Sequence, residues 1–258
     1  MHALILAAGT GSRLGLGLPK CLVQVGGQTL LDHQLDAIER VGVERVTLVV
    51  GYEHQQVEDA AQGRADVVLN ERYASTNSLY SFWLARDAVE GDLLVLNSDV
   101  LCAPELLRDL LAVQGSAIAF DSSSGEQAEH MKVRARQGRL LRLSKDLPAV
   151  SSQGESLGVA HLSPLAARAA FAAAGSLVRR GHVDEWAASA INEVARHHRI
   201  SCMDVAGKPW VEIDFPEDLD HARKHIWPAI AALAMEGSSA EGFCSTSVEH
   251  DDLKEVAT

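Results

Sequence analysis

The residues best suited to chemistry follow the first apolar run of the chain: Leu6-Ala7-Ala8-Gly9-Thr10-Gly11-Ser12-Arg13-Leu14-Gly15, then Pro19-Lys20. Small residues let a backbone approach a ligand closely, and a turn rich in free N–H groups cradles anions. Arg13 and Lys20 add fixed positive charge, so the chemistry indicated is phosphate binding. Two familiar phosphate loops are excluded by spacing. A dinucleotide-binding turn needs GxGxxG, whereas the third glycine here falls one position late, at Gly15. A Walker-type loop needs Gly-Lys followed by Ser or Thr, which Gly15 to Lys20 lacks. A bare glycine cluster also reads as a flexible surface loop, but an Arg and a Pro-Lys at set distances argue against that.

Two carboxylates supply the counterpart. Asp99 follows Asp92-Leu93-Leu94-Val95-Leu96, which places it at the carboxyl end of a buried strand, where open α/β sheets bind ligands. Asp214 ends the short extended run Trp210 to Ile213. Two carboxylates, phosphate oxygens and water suit octahedral Mg²⁺. Taken singly, Asp99 is also a turn or cap residue before Pro104, and Asp-Phe-Pro-Glu-Asp is also a good helix start.

The elements that must hold these groups alternate in type. Apolar runs at Ala3 to Leu6, Val46 to Val50, Val67 to Leu69 and Leu93 to Leu96 are separated by helical patterns such as Leu30 to Val41, with Leu31, Leu35 and Ile38 on one face. This βαβ pattern implies an α/β fold with a mostly parallel central sheet flanked by helices. After Ser116 to Phe120, the alternating Met131 to Arg136 and Leu140 to Leu143 around Gln137-Gly138 predict a β-hairpin at the sheet's edge. Residues 121–160 then form the acceptor-side insert. Helices are expected at Pro164 to Ala174 and Val183 to His197, a strand at Ile200 to Val205, and a helix from Pro216 broken or kinked at Pro228. The domain runs over 1–236, and 237–258, Gly/Ser-rich and acidic, is expected to be a flexible tail.

With 258 residues, 47% hydrophobic and 22% charged, the chain suits one large domain with a sizeable core. Lys and Arg number 23 against 35 Asp and Glu, a net charge of −12 that excludes a general nucleic-acid footprint. Cys21, Cys102, Cys202 and Cys244 stand singly and read as reduced thiols. There is no signal-peptide pattern, and no run reaches the ~18 apolar residues of a membrane helix, so a cytoplasmic protein without membrane partners is expected; a homodimer stays open.

Leu6 to Gly15 with Pro19-Lys20 resembles the signature of the nucleotidyltransferases of GT-A-like fold. Later segments match in order: Leu22-Val23-Gln24-Val25 with Leu30-Leu31, Val50-Gly51-Tyr52, Asn97-Ser98-Asp99, and Trp210 to Asp214 with Pro216-Glu217-Asp218-Leu219. The resemblance implies a Rossmann-like GT-A fold in which the loop holds a nucleoside triphosphate, Arg13 grips its terminal phosphates, Lys20 lies near the α-phosphate, and Asp99 and Asp214 hold the metal. A triphosphate so bound with Mg²⁺ permits in-line attack by an acceptor oxygen on the α-phosphorus, with pyrophosphate leaving. The second pKa of a phosphate is about 6, so the acceptor needs no general base and no catalytic His is required. Positioning and charge neutralisation by Mg²⁺, Lys20 and Arg13 then carry the acceleration. Leu6, Ala7, Ala8, Gly9, Thr10, Gly11, Ser12, Asn77 and Ser98 complete the nucleotide site, with Ala8 and Gly9 at the base edge. Asn77, near a predicted helix start, reads first as the cap of that helix.

Three features narrow the resemblance. Tyr73-Ala74-Ser75-Thr76-Asn77-Ser78-Leu79-Tyr80-Ser81 resembles a stretch of cytidylyltransferases acting on phosphocholine or phosphonates such as 2-aminoethylphosphonate. Met131-Lys132-Val133, Ser144-Lys145-Asp146-Leu147 and Gly154-Glu155-Ser156-Leu157-Gly158 look like the acceptor side of the phosphonate enzymes. The Glu-Lys-Pro element of sugar-1-phosphate enzymes is missing. The implied partners are CTP and a small anionic acceptor, met by Lys132 and by Lys145, which also joins Arg13 and Lys20 as a catalytic group. Glu155 or Asp184 is placed to pair with an acceptor ammonium, and Tyr80, Trp186 and Trp210 to form an aromatic wall. The alternatives are solvated hairpin charges and ordinary core aromatics. At the level of function they are a sugar-1-phosphate nucleotidyltransferase using UTP or dTTP, or an idle nucleotide-binding relative.

Overall fold

A computed structural model describes residues 1–125 and 129–242, with 236–242 as backbone only. The first strand, β1 (His2–Ala7), is buried throughout and obeys period 2: Leu4 and Leu6 face one core, Ala3, Ile5 and Ala7 the other. The hairpin β2 (Gln24–Val25) and β3 (Gln28–Thr29) leads into α1 (Leu30–Arg40). A capping box opens that helix, with Thr29 Oγ1 accepting from the Asp32 amide at 3.0 Å and Asp32 accepting from the Thr29 amide at 3.1 Å. There follow β4 (Arg45–Val50), α2 (His54–Ala61), β5 (Asp66–Leu69), α3 (Ser78–Leu84), β6 (Leu93–Asn97), β7 (Val100–Cys102), α4 (Pro104–Ala112) and β8 (Ser116–Asp121). The second half comprises β9 (Lys132–Arg136), β10 (Arg139–Ser144), β11 (Glu155–Leu162), α5 (Pro164–Arg179), α6 (Ala188–His197), β12 (Ile200–Asp204), β13 (Trp210–Glu212), α7 (Pro216–His221) and α8 (Trp227–Gly242).

A nine-stranded sheet in the order β5-β4-β1-β6-β11-β8-β12-β10-β9 forms the centre. The β5-β4-β1-β6 block is parallel, as is the β8–β12 pair, while β11 and β10 run against their neighbours. Apolar stripes of α1, α2 and α4 cover one face, and those of α3, α5 and α6 the other. The chain leaves β1 toward β4 and later returns to β6 on its other flank. That reversal opens a crevice at the carboxyl ends of β1 and β6, the place where open α/β sheets bind ligands. A third apolar cluster joins Leu14, Val23 and Leu30 to Ile213, Leu219 and Ile230, and so fastens the glycine loop to the C-terminal segment.

The expected edge hairpin is present: Gln137 and Gly138 both adopt positive φ (52° and 68°), as the turn matching strand twist requires. Helix α6 begins at Ala188 rather than near Val183. The reason lies in the hydrogen bonds of 183–187: the carbonyls of Val183 and Glu185 accept from the Asn77 and Leu79 amides at the start of α3, and the Ala187 amide donates to Ser78 Oγ. A helix there would have consumed those groups itself. The break expected at Pro228 is a π-turn over Ala222–Ile226, where the Trp227 amide reaches back to Ala222. Helix α8 then continues through 236–242, into the segment expected as tail; 243–258, with Cys244, lie outside the described residues.

Candidate active site

The glycine loop leaves β1 over the crevice. Gly11 (φ 62°) and Gly15 (φ 69°) bracket a single 3₁₀ turn, Ser12–Leu14, in left-handed conformations that a side chain would strain. Gly11 is required twice over, because a Cβ there would stand 2.9 Å from Lys20 Cγ. Its absence lets the Lys20 stem cross the loop. Gly9 is exposed, and a Cβ on it would meet nothing within 4 Å, so the backbone is bare toward the crevice.

Lys20 ends between two carboxylates. Its ammonium donates to Asp99 Oδ2 at 3.1 Å and to Asp214 Oδ1, and Arg13 Nη1 lies 3.1 Å from the other oxygen of Asp214. Two strand pairings make this meeting possible. β1 and β6 run in register from His2↔Leu93 to Leu6↔Asn97, which carries Ser98-Asp99 alongside the loop. β7 and β13 pair antiparallel, and the Ile213 amide donates to the Asp99 carbonyl at 2.9 Å, which brings Asp214 to Asp99. From α1, the buried Gln34 locks the turn, donating to the carbonyls of Asn97 and Val100 at 2.8 Å each.

Glu212 joins this pair, a residue the sequence reading passed over. One ligand oxygen each from Asp99, Glu212 and Asp214 lies within 4.8 Å of the others. The signal was available: Glu212 and Asp214 are two apart in an extended run, so both project to one side. Burial, with Asp99 and Asp214 close by, raises the Glu212 carboxyl well above the usual range. For Asp214, burial acts upward, but the Lys20 hydrogen bond and the Lys20 and Arg13 charges outweigh it and hold the carboxyl low. Asp99 Oδ1 is buried and makes no hydrogen bond among the described residues, an acceptor left without a donor. Three converging oxygen donors with one orphaned lone pair fit a small hard cation.

A cavity of about 310 Å³ opens from this cluster. Leu6 through Arg13, Lys20, Asn77, Ser98, Asp99, Lys145 and Asp214 all line it, so the structure brings together the expected nucleotide, metal and catalytic residues. Asn77 also caps α3, its carboxamide oxygen accepting from the Ser78 amide at 2.8 Å. The Ala8 carbonyl already accepts from the Tyr52 amide at 3.2 Å.

On the acceptor side three expected contacts are corrected. Lys132, Glu155 and Tyr80 lie outside the lining. Lys132 donates to the backbone carbonyl of Lys145 at 2.6 Å and props that residue from behind. Glu155 is buried, 3.0 Å from His130, and burial with Asp121 nearby pushes its carboxyl up to about 7. Tyr80 packs on Trp83 (5.5 Å between centroids) and carries the Arg72 guanidinium on its face. Trp210 is spent on Asp121, at 2.8 Å, and only Trp186 of the proposed aromatic wall reaches the cavity. Glu129, also unremarked in the sequence, lines it too.

Comparison with known proteins bears on the family and the fold. A family model described as a MobA-like NTP transferase domain matches residues 3–241. A bifunctional IPC transferase and DIPP synthase of Aquifex aeolicus is 28% identical over 255 residues, 95% of this chain and 55% of that protein. A CMP-5'-(3-aminopropyl)phosphonate synthase of Streptomyces rubellomurinus is 38% identical over 128 residues, 46% of this chain and 20% of that protein. The chain therefore spans about half or less of the length of these relatives. Among solved structures, the CTP:phosphocholine cytidylyltransferase LicC of Streptococcus pneumoniae superposes with a TM-score of 0.73 at 22% identity, covering 86% of this chain and 97% of its own, a likeness of fold. No helix among the described residues is long and apolar enough to cross a membrane.

Proposed function

The chain belongs to the MobA-like NTP transferase family, and from that premise we propose that it is a Mg²⁺-dependent cytidylyltransferase. It transfers CMP from CTP to a small phosphonate or phosphorylated amino alcohol and releases pyrophosphate. The observation that carries the reading is the Lys20 ammonium held between Asp99 and Asp214 beneath a bare glycine loop. An anion cradle and a cation-seeking acidic cluster share one cavity, as phosphoryl-type transfer requires. The narrower choice of CTP and acceptor rests on the kinship to a CMP-phosphonate synthase and the likeness to LicC.

In this mechanism the loop amides from Ala8 to Ser12 cradle the triphosphate, and Arg13, half-exposed at the cavity mouth, reaches its distal phosphates. Lys20 meets the α-phosphate and neutralises charge as it develops on the phosphorane oxygens. Asp99, Glu212 and Asp214 would hold Mg²⁺, which when bound draws charge from the phosphate oxygens and orients the leaving pyrophosphate. Lys145, supported by Lys132, faces the acceptor's anionic group. That group attacks in line as an already ionised oxygen, which agrees with the lining's lack of histidine among the described residues.

Pyrophosphate release with and without Mg²⁺, across CTP, UTP, dTTP, ATP and GTP, tests the reading. The acceptors are 2-aminoethylphosphonate, 2-hydroxyethylphosphonate, phosphocholine, phosphoethanolamine and hexose-1-phosphates. Release confined to CTP with phosphonates or phosphorylated amino alcohols is the expected result. Release with UTP or dTTP and a sugar phosphate would replace the acceptor assignment, and silence throughout with tight CTP binding would indicate an idle site.

A further inference from the structure

Glu129 stands where an anion-binding wall should carry no carboxylate. Its Oε2 lies 3.3 Å from Arg13 Nη1 and 3.3 Å from Lys145 Nζ, the two cations that face phosphate in the proposed reaction. The same Lys145 ammonium lies 4.5 Å from the centre of the Trp186 ring. Lys145 thus fills a niche made of one carboxylate and one indole face, the pairing that attracts a primary ammonium by charge and by ring quadrupole. Glu129, Lys145 and Trp186 all line the one cavity.

That arrangement has a cost that depends on the acceptor. When a phosphate draws Arg13 and Lys145 toward itself, Glu129 loses both partners and faces like charge. An acceptor that is anionic at one end and neutral elsewhere leaves this repulsion uncompensated. An acceptor with a cationic terminus compensates it, because its ammonium takes the place of the Lys145 ammonium between Glu129 and Trp186. The span is short: Glu129 and Asp214 lie on the same Arg13 nitrogen, at 3.3 and 3.1 Å, so one guanidinium separates the niche from the acidic cluster. Only a few bonds can separate the two charges of a ligand that reaches both.

Resting on the cytidylyltransferase reading, we infer that Glu129 selects acceptors by charge. With Trp186 it forms an ammonium niche occupied by Lys145 in the free protein and by the cationic end of a short zwitterionic phosphonate or phosphate in the acceptor complex. The exchange moves Lys145 onto the acceptor's anionic end, so one event recognises the cation and frees the lysine. Nothing covalent changes in this step.

The test compares 2-aminoethylphosphonate with its uncharged-end counterpart 2-hydroxyethylphosphonate, in the full chain and in Glu129→Gln. Both are measured by kcat/KM with CTP and by equilibrium binding of each phosphonate, with the nucleotide present. The unaltered protein should favour the amino compound, and Glu129→Gln should lower that preference by roughly tenfold or more, mainly through KM, the size of a charge-assisted hydrogen bond. Trp186→Leu should lower it by less. Glu129 is about half exposed, so the substitution leaves the core intact. An unchanged amino-to-hydroxy ratio in Glu129→Gln, or no preference in the unaltered protein, overturns the inference. If no acceptor is turned over but the amino compound binds better in a Glu129-dependent way, the niche stands and the reaction assignment falls. If neither phosphonate binds, the niche falls.

Discussion

Lys20→Met isolates the ammonium at the centre of the acidic cluster. Methionine keeps a stem that can cross Gly11 and removes only the charge. The Lys20, Asp99 and Asp214 side chains are 17, 18 and 19% exposed, so their ion pairs are poorly screened by solvent. Each charge-assisted hydrogen bond is worth about 1.5–3 kcal/mol, offset by the cost of burying the ammonium. The expected net loss without metal is about 2–3 kcal/mol, or roughly 4–12 °C in Tm for a chain of this size. The three carboxylates left within 4.8 Å of one another then repel. Burial lowers the Lys20 pKa, but Asp99 and Asp214 outweigh it and raise the value, while Asp214 is held low; both groups are therefore charged at neutral pH, and the pairing weakens in acid as Asp214 protonates and in strong alkali as Lys20 loses its proton. Urea unfolding at pH 7 in EDTA and in Mg²⁺ checks the prediction. Mg²⁺ should stabilise the variant more than the unaltered protein, because the ammonium no longer competes for the carboxylates. Turnover should fall by about 10²–10³ through lost charge stabilisation. Equal stability in EDTA, or equal Mg²⁺ effects on both proteins, would refute the bridging role.

Asp99→Asn and Glu212→Gln should each abolish Mg²⁺-dependent turnover while the far-ultraviolet circular dichroism stays unchanged; near-normal activity in Glu212→Gln would remove it from the metal set. Gln34→Leu leaves the carbonyls of Asn97 and Val100 unpaired and should cost about 2 kcal/mol in urea unfolding, together with a higher Mg²⁺ requirement. For Glu155 the sign runs against alkali: its folded-state pKa, raised from 4.5 to about 7, means that the folded protein holds the proton more tightly. Its contribution is complete below 4.5 and is lost as pH rises through 7. Glu155→Gln should therefore show a smaller fall in urea midpoint between pH 5 and pH 8 than the unaltered protein.

The glycine-loop side of the cavity was legible because its signals are local. Gly9, Gly11, Arg13 and Lys20 fall within one loop, and the alternation of Leu4 and Leu6 with Ala3, Ile5 and Ala7 declares a strand buried on both faces. The turn at Gln137-Gly138 was equally readable. The acceptor half depends on register and on loop path, which sequence pattern does not give. Lys132 and Glu155 sit opposite each other in the β9–β11 pairing, and there one lysine turns to a backbone carbonyl and the glutamate turns inward. Likewise the helical period from Val183 was genuine, but the amides at the start of α3 took the carbonyls that a helix would have used.

That difference bears on how one scaffold serves different acceptors. The groups proposed to hold phosphate and metal are fastened by strand pairing: β1 against β6 sets the loop beside Asp99, and β7 against β13 brings in Glu212 and Asp214. Those pairings set their positions, while the side chains themselves stand at strand ends and in turns. Glu129, Lys145 and Trp186 project from connections, and their contacts are side chain to side chain. They can be exchanged at little cost to the fold, since partly exposed ion pairs contribute about 1 kcal/mol or less. Acceptor choice should therefore yield to substitution at 129 and 186 while CTP-dependent turnover persists, whereas a change at Lys145, which faces the acceptor's anionic group in the proposed reaction, should lower turnover itself. Loss of Mg²⁺ binding from a change at Glu129 would show instead that the two halves are mechanically one.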